Sequence, residues 1–260
     1  MNLTIAQKKR ILKKGFVLIP GLVAAARVDA ARREINRALG RSSSYGKEGP
    51  VEAADPDVWP GLQGSPAISS LFHGTPVKAL VESLIGKGCI DADLQRTVLI
   101  RFPQQASARE NTSFHIDGFE YGGGLDARNA PSHSHTIAVA VLLSDTRGEG
   151  AASLALIPGS HLRLAEYFRA HPEASRRRGM PELSLGAALS VKGRVGDVVL
   201  YHYQVAHSAF AFRNLSPDIH CAAVFWAKHV RHDERWSEAM SDLWLEWPGM
   251  SEVLPPGPRT

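Results

Sequence analysis

Thr136-Ile137-Ala138-Val139-Ala140-Val141-Leu142-Leu143 is a short uncharged run rich in Val, Leu, Ile and Ala. Such a run reads as a strand. Working outward, Thr97 to Phe102, Ala152 to Ile157, Asp197 to His202 and Cys221 to Ala227 have the same character, each bounded by Gly, Pro, Asn or Asp. Helical patterns come earlier and do not alternate with the strands. Val28, Ala31, Ile35 and Leu39 recur at helical spacing after a strand at Phe16 to Ile19 and a turn at Pro20-Gly21, and Thr75 to Ile85 has Pro76 at its start and Gly86 at its end. Helices first and strands afterwards favour one α+β or all-β barrel-like domain over a doubly wound parallel sheet.

Composition narrows the function. The chain has 260 residues, 44% hydrophobic and 22% charged, which is ordinary globular composition and excludes collagen, coiled coil and wholesale disorder. Cys89 and Cys221 are the only cysteines, too few for a disulfide scaffold or a four-cysteine zinc module, so the 11 histidines are the main supply of metal ligands. The formal net charge is +4. Basic residues gather only at Lys8 to Lys14 and Arg176 to Arg178, and Ile11 and Leu12 interrupt the first group, so nucleic acid is not an expected partner. The stretch from Lys8 to Ala26 imitates a secretory leader, but Pro20 and Gly21 break its apolar part and an amphipathic helix follows. No window suits a membrane span, and the expected setting is cytoplasmic.

The chemistry begins at Phe114-His115-Ile116-Asp117-Gly118. Residues two apart in a strand share a side, so His115 and Asp117 can present a nitrogen and a carboxylate oxygen to one metal ion. His207 lies between two strands and is a third candidate ligand. Two histidines and one carboxylate on one face of a metal leave positions for substrate and oxygen, the pattern of non-haem Fe(II) oxygenases. His133 and His135 repeat the spacing after a loop-like Ala130-Pro131-Ser132 and are a rival pair or part of a substrate entrance. His161 reads as a turn cap after Pro158-Gly159, His202 as a strand residue, and His171, His229 and His232 as surface positions.

Four pieces in order resemble the phytanoyl-CoA dioxygenase family: Leu3 to Leu39 with Gly15-Phe16-Val17 before Pro20-Gly21-Leu22; His115-Ile116-Asp117-Gly118; Leu142-Leu143-Ser144-Asp145 through Ile157-Pro158-Gly159-Ser160-His161; and Gly196-Asp197-Val198 up to His207, followed by Asn214-Leu215-Ser216-Pro217. The resemblance implies a mainly β fold with flanking helices, a double-stranded β-helix or jelly roll, using residues 1–260 as a single domain. The N-terminal helical segment would be 1–40, with loop insertions near 41–64, 119–135 and 162–185. It implies that His115, Asp117 and His207 hold Fe(II), with 2-oxoglutarate and dioxygen as co-substrates and a C–H bond of a small molecule as the target. Relatives with Gly or Ala at the position of Asp117 leave a halide site, so the carboxylate here implies hydroxylation or a related oxidation.

One position departs from the family. Six residues after the asparagine, the family places an arginine whose fork holds the far carboxylate of 2-oxoglutarate, and here that position is His220. Histidine offers one hydrogen bond there and no fork. His220 itself, a substitute cation such as Arg213 or Arg101, or loss of the co-substrate are the three explanations, and Thr136 is a candidate hydroxyl donor to it. The competing classes are a jelly-roll metal-binding module and a cupin-like metalloenzyme without 2-oxoglutarate. The 119–134 segment, with Gly122-Gly123-Gly124, reads as a lid, and the 162–185 insertion as an exposed helix and loop or a contact for an anionic or carrier-tethered substrate.

Overall fold

The computed structural model describes residues 1–41, 62, 64–103, 114–117, 119, 134–151, 154–176, 179–208 and 214–255. Most of the expected 41–64 and 119–135 insertions, together with Gly118, His133 and Arg213, lie outside the described residues.

The chain opens with helix α1, Ile5–Lys14, which is fixed at both ends by its own sequence. The Thr4 hydroxyl accepts the Gln7 backbone N–H at 3.2 Å and the Gln7 side-chain oxygen accepts the Thr4 N–H at 2.8 Å, a reciprocal capping box. Gly15 ends the helix at φ +82, a conformation that suits a residue without Cβ. Strand β1, Phe16–Ile19, follows, then α2, Ala25–Arg41, with Val28, Ala31 and Ile35 buried. A helix not expected from the sequence, α3 at Pro66–His73, begins on the Ser65 side chain as cap, and α4 spans Val77–Ile85. The polar stretch before it masked α3, whose apolar face is only Ile68, Leu71 and Phe72.

Five antiparallel strands form the larger sheet. After β1 come β2, Gln95–Arg101; β3, Ile137–Leu142; β6, Val198–His202; and β8, His220–Ala227, in spatial order β1-β6-β3-β8-β2. The smaller sheet orders β5, Leu189–Ser190, β4, Ala155–Leu156, and β7, His207–Ser208, as β5-β4-β7. The expected strand from Ala152 to Ile157 is thus seen only over Ala155–Leu156, with 152–153 not described.

The period-two alternation divides β3 between two cores. Ile137, Val139 and Val141 pack with Val98, Ile100, Leu200, Phe225 and the helices, whereas Ala138 and Ala140 face inward with Val199, Tyr201, Val224, Leu154 and Leu156. Both faces of the strand are covered, which is why its sequence shows no polar alternation. Small residues line its inner face, where larger side chains of the facing elements pack on them.

The 162–185 segment is not the exposed helix and loop expected. Helix α5, Ser160–Ala170, buries Leu164 and Phe168 against Ile116, Phe119, Tyr203, Trp236 and Met240, with Met180, Leu183 and Leu185 alongside. This third core clamps the residues on either side of Asp117. A last helix, α6 at His232–Ala239, also went unread in the sequence, because its charged first turn hides the single apolar anchor Trp236.

Candidate metal centre

Local pairing brings the distant ligands together. His115 and His207 form an antiparallel bridge in which the His115 N–H donates to the His207 carbonyl at 3.1 Å and the His207 N–H to the His115 carbonyl at 2.9 Å. Their rings lie 4.8 Å apart. Asp117 Oδ1 lies 3.5 Å from His207 Nε2 and 3.7 Å from His115 Nε2. Ligand atoms of all three residues fall within 4.8 Å of one another, the one such group among the described residues. The three sequence candidates for the metal are therefore gathered in one place.

The surroundings prepare those atoms for a cation. The His207 Nδ1–H can donate to the Val205 carbonyl at 3.0 Å, which leaves Nε2 with its lone pair toward Asp117. Asp117 is 8% exposed. Burial by itself would raise its carboxyl, but His207 at hydrogen-bonding and charge distance, then His135 and His115, hold it well below the usual carboxylate range. Its Oδ2 is buried without a hydrogen-bond partner and points to His135 Nδ1 at 3.6 Å. The Tyr203 hydroxyl donates to the Asp117 carbonyl at 2.9 Å and fixes the backbone. A carboxylate oxygen with no hydrogen-bond partner among the described residues, amid imidazole nitrogens, fits a bound cation. His115 is the open side of the group, its side chain 28% exposed.

The Pro-Gly-Ser-His turn has a physical part in this. Ser160 accepts the Ala206 N–H at 2.8 Å and Ile157 N–H donates to the Ala206 carbonyl at 2.9 Å, so the turn pins the residue before His207. His161 is not a turn cap. It is fully buried in α5 beneath Gly15, with Nε2 3.3 Å from the Leu12 carbonyl, and its pKa is pushed down to about 4 by burial.

The candidate co-substrate residues separate. Thr136 does not face the metal as a spare donor: its hydroxyl donates to Glu246 Oε2 at 2.6 Å and accepts the His229 N–H at 2.9 Å, so both its capacities are used elsewhere. His220 is buried and its Nε2 lies 3.0 Å from Ser216 Oγ, while Arg101, 4% exposed, is its register partner across β2 and β8. Arg213 lies outside the described residues.

Two residues stand in settings that the sequence did not give them. His135, expected in a loop, is 1% exposed and stands beside Asp117, with its ring 5.1 Å from Tyr203 and 6.5 Å from Trp226. His232, expected at the surface, is 2% exposed and lies 2.7 Å from Glu246. Tertiary packing places both: His135 beside Asp117, and His232, at the start of α6, against Glu246.

A family model described as phytanoyl-CoA dioxygenase matches residues 11–219. No curated protein matches the chain. Among solved structures, the non-haem α-ketoglutarate-dependent epimerase SnoN from nogalamycin biosynthesis superposes with a TM-score of 0.57 at 20% identity, covering 86% of this chain and 81% of that one. HygX from Streptomyces hygroscopicus, with nickel and 2-oxoglutarate bound, gives 0.54 at 19% identity over 88% of both chains. EvdO2 from Micromonospora carbonacea var. aurantiaca, complexed with 2-oxoglutarate, gives 0.55 at 15%, covering 86% of this chain and 90% of that one. The likeness bears out the jelly-roll fold that the family resemblance implied.

Proposed function

The chain belongs to the phytanoyl-CoA dioxygenase family, and from that premise we propose that it is a non-haem Fe(II)- and 2-oxoglutarate-dependent oxygenase acting on a C–H bond of a small-molecule metabolite. The observation that carries this is the convergence of His115, Asp117 and His207 within 4.8 Å in a buried setting. Two imidazoles and one carboxylate satisfy one face of an octahedral ion and leave the other face for ligands. When bound, iron, 2-oxoglutarate and dioxygen together supply the oxidation of an unactivated C–H bond, chemistry beyond the reach of side chains.

The chain's own residues do the rest. Val205 and its neighbours set the tautomer of His207, Asp117 supplies a carboxylate ionised at neutral pH, and Tyr203 holds its backbone. The inner Ala138 and Ala140 pack with Leu154, Leu156 and Tyr201 in the core between the sheets. We read residues 1–260 as one domain, since the two sheets share the inner core and α5 closes over the metal loop. A cytoplasmic setting is supported by two free cysteines, Cys89 and Cys221. Among the described residues no helix is long and apolar enough to cross a membrane.

SnoN and a second structural neighbour, SnoK, are named an epimerase and a carbocyclase, so oxidation without net hydroxylation is a second outcome open to this fold. HygX has been solved with hygromycin B, and we extend only the class, a small polar metabolite that is free or carrier-tethered, to this chain. His220 at the arginine position favours the competing reading, a metal site that does not take 2-oxoglutarate. Anaerobic Fe(II) with 2-oxoglutarate decides between them: a weak visible charge-transfer band is expected, and its absence at saturating co-substrate refutes the oxygenase. His115→Ala, Asp117→Ala and His207→Ala should each lose iron, and stoichiometric iron retained in all three would dismiss the site.

A further inference from the structure

The register of the larger sheet places two basic side chains at one end of the inner face. β2 and β8 pair antiparallel from Gln95↔Trp226 to Arg101↔His220, so the last pair stands directly opposite across the strands. Alternation fixes their side. Val98, Ile100, Ala223 and Phe225 belong to the helix-side core, whereas Leu99 and Val224 pack into the inner one, and Arg101 and His220 share the parity of the latter. Arg101 is 4% exposed, so its guanidinium sits inside the protein rather than in solvent.

The two residues differ in what they can give an anion. His220 already meets Ser216 Oγ at 3.0 Å, and burial keeps its pKa below the ordinary value, so at neutral pH it is an uncharged ring with one nitrogen engaged. Arg101 carries a guanidinium whose planar fork suits a carboxylate. Its backbone is also anchored. The Asn214 side-chain amide donates to the Arg101 carbonyl at 3.1 Å and to the Asp218 carbonyl at 2.8 Å, and its oxygen accepts the Ser216 N–H at 3.3 Å. The turn from Asn214 to His220, where the family carries its arginine, is thus tied to the end of β2 and holds Arg101 beside the vacated position.

We propose that Arg101 holds the far carboxylate of 2-oxoglutarate, the cation having moved one strand across the sheet from the position of His220 to its register partner. This rests on the oxygenase reading above. A deletion of the arginine would have left the pocket without a counter-charge; a cross-strand exchange keeps the guanidinium on the same face and at the same end. His220 then acts as packing and as a hydrogen-bonded neighbour of Ser216.

The test compares two 2-oxoacids on anaerobic Fe(II)-loaded protein, titrating the charge-transfer band: 2-oxoglutarate, and 2-oxopentanoate, which chelates in the same way and lacks the far carboxylate. Arg101→Ala should weaken 2-oxoglutarate on the order of 100-fold, as expected for removing one partner of a buried charge pair. It should leave 2-oxopentanoate within about threefold, with His220→Ala close to the parent protein for both ligands. Arg101→Lys, which keeps the charge without the fork and disturbs folding least, should fall between. If the parent protein binds 2-oxoglutarate and Arg101→Ala or Arg101→Lys binds it equally well, or the loss follows His220→Ala instead, the inference is overturned and the oxygenase reading stands. An equal loss for both ligands overturns it too, because the far carboxylate is then not what Arg101 recognises. If the parent protein binds neither acid, the oxygenase reading fails and this inference with it.

Discussion

Acid should destabilise the protein through two histidines buried in their neutral form. His202 is 3% exposed, its Nε2–H donates to the Leu243 carbonyl at 2.9 Å, and its Nδ1 accepts the Gln204 N–H at 3.0 Å. Both nitrogens are committed to the neutral ring, which stacks on Trp247 at 5.0 Å. Burial, reinforced by His161 at a ring distance of 5.9 Å, lowers the His202 pKa from 6.5 to about 3, and burial lowers that of His161 to about 4. In the unfolded chain both rings take up protons near their ordinary pKa, so the stability they contribute is complete above it and is lost as pH falls toward the folded values. Each contributes a slope of about 1.4 kcal/mol per pH unit between about pH 6 and pH 4. Replacing His202 with Gln keeps a donor for Leu243 and removes the titration. Urea unfolding followed by tryptophan fluorescence at several pH values should therefore give curves whose slopes differ by about 1.4 kcal/mol per unit across that window, whatever their offset at pH 7. By pH 5 the difference attributable to His202 reaches about 2 kcal/mol. Parallel stability curves for the parent and His202→Gln would refute the assignment of a neutral, buried ring.

Three further outcomes follow from single contacts. Thr136→Ala should cost about 1–2 kcal/mol in urea unfolding, because Glu246 and the His229 N–H lose a buried partner, yet leave 2-oxoglutarate affinity within about threefold; a larger loss of affinity would return the hydroxyl to the co-substrate. Gly15→Ala should destabilise by about 2–4 kcal/mol, since the residue sits at φ +82 and its Cβ would lie 2.3 Å from Val205 Cγ2 and 2.7 Å from His161 Nδ1; an unchanged urea midpoint would contradict that packing. Glu246→Gln should lower stability by about 1–2 kcal/mol by weakening the buried hydrogen bonds that its carboxylate makes with His232 and Thr136, and a melting temperature equal to the parent's would show that they are dispensable.

Much of the site was legible because its signals are local. His115 and Asp117 are linked by their two-residue spacing, although the structure gives them an isolated bridge and a turn in place of a strand, and Phe16–Ile19 is a strand by composition. What lay hidden depends on register. Thr136 carries the same hydroxyl whether it faces a metal or a carboxylate, and its direction is settled by Glu246, remote in sequence. His135 and His232 sit in polar surroundings of sequence and become buried only when other elements close over them.

The sequence by itself carried the class of fold and the His115 and Asp117 pair, since composition, turn residues and two-residue spacing act over a few positions, and the family resemblance added His207. Tertiary structure decided what no spacing encodes. It joined His207 to His115 through a single bridge, and it set Arg101 opposite His220, because strand pairing converts separations of 92 and 119 residues into contacts between neighbouring residues.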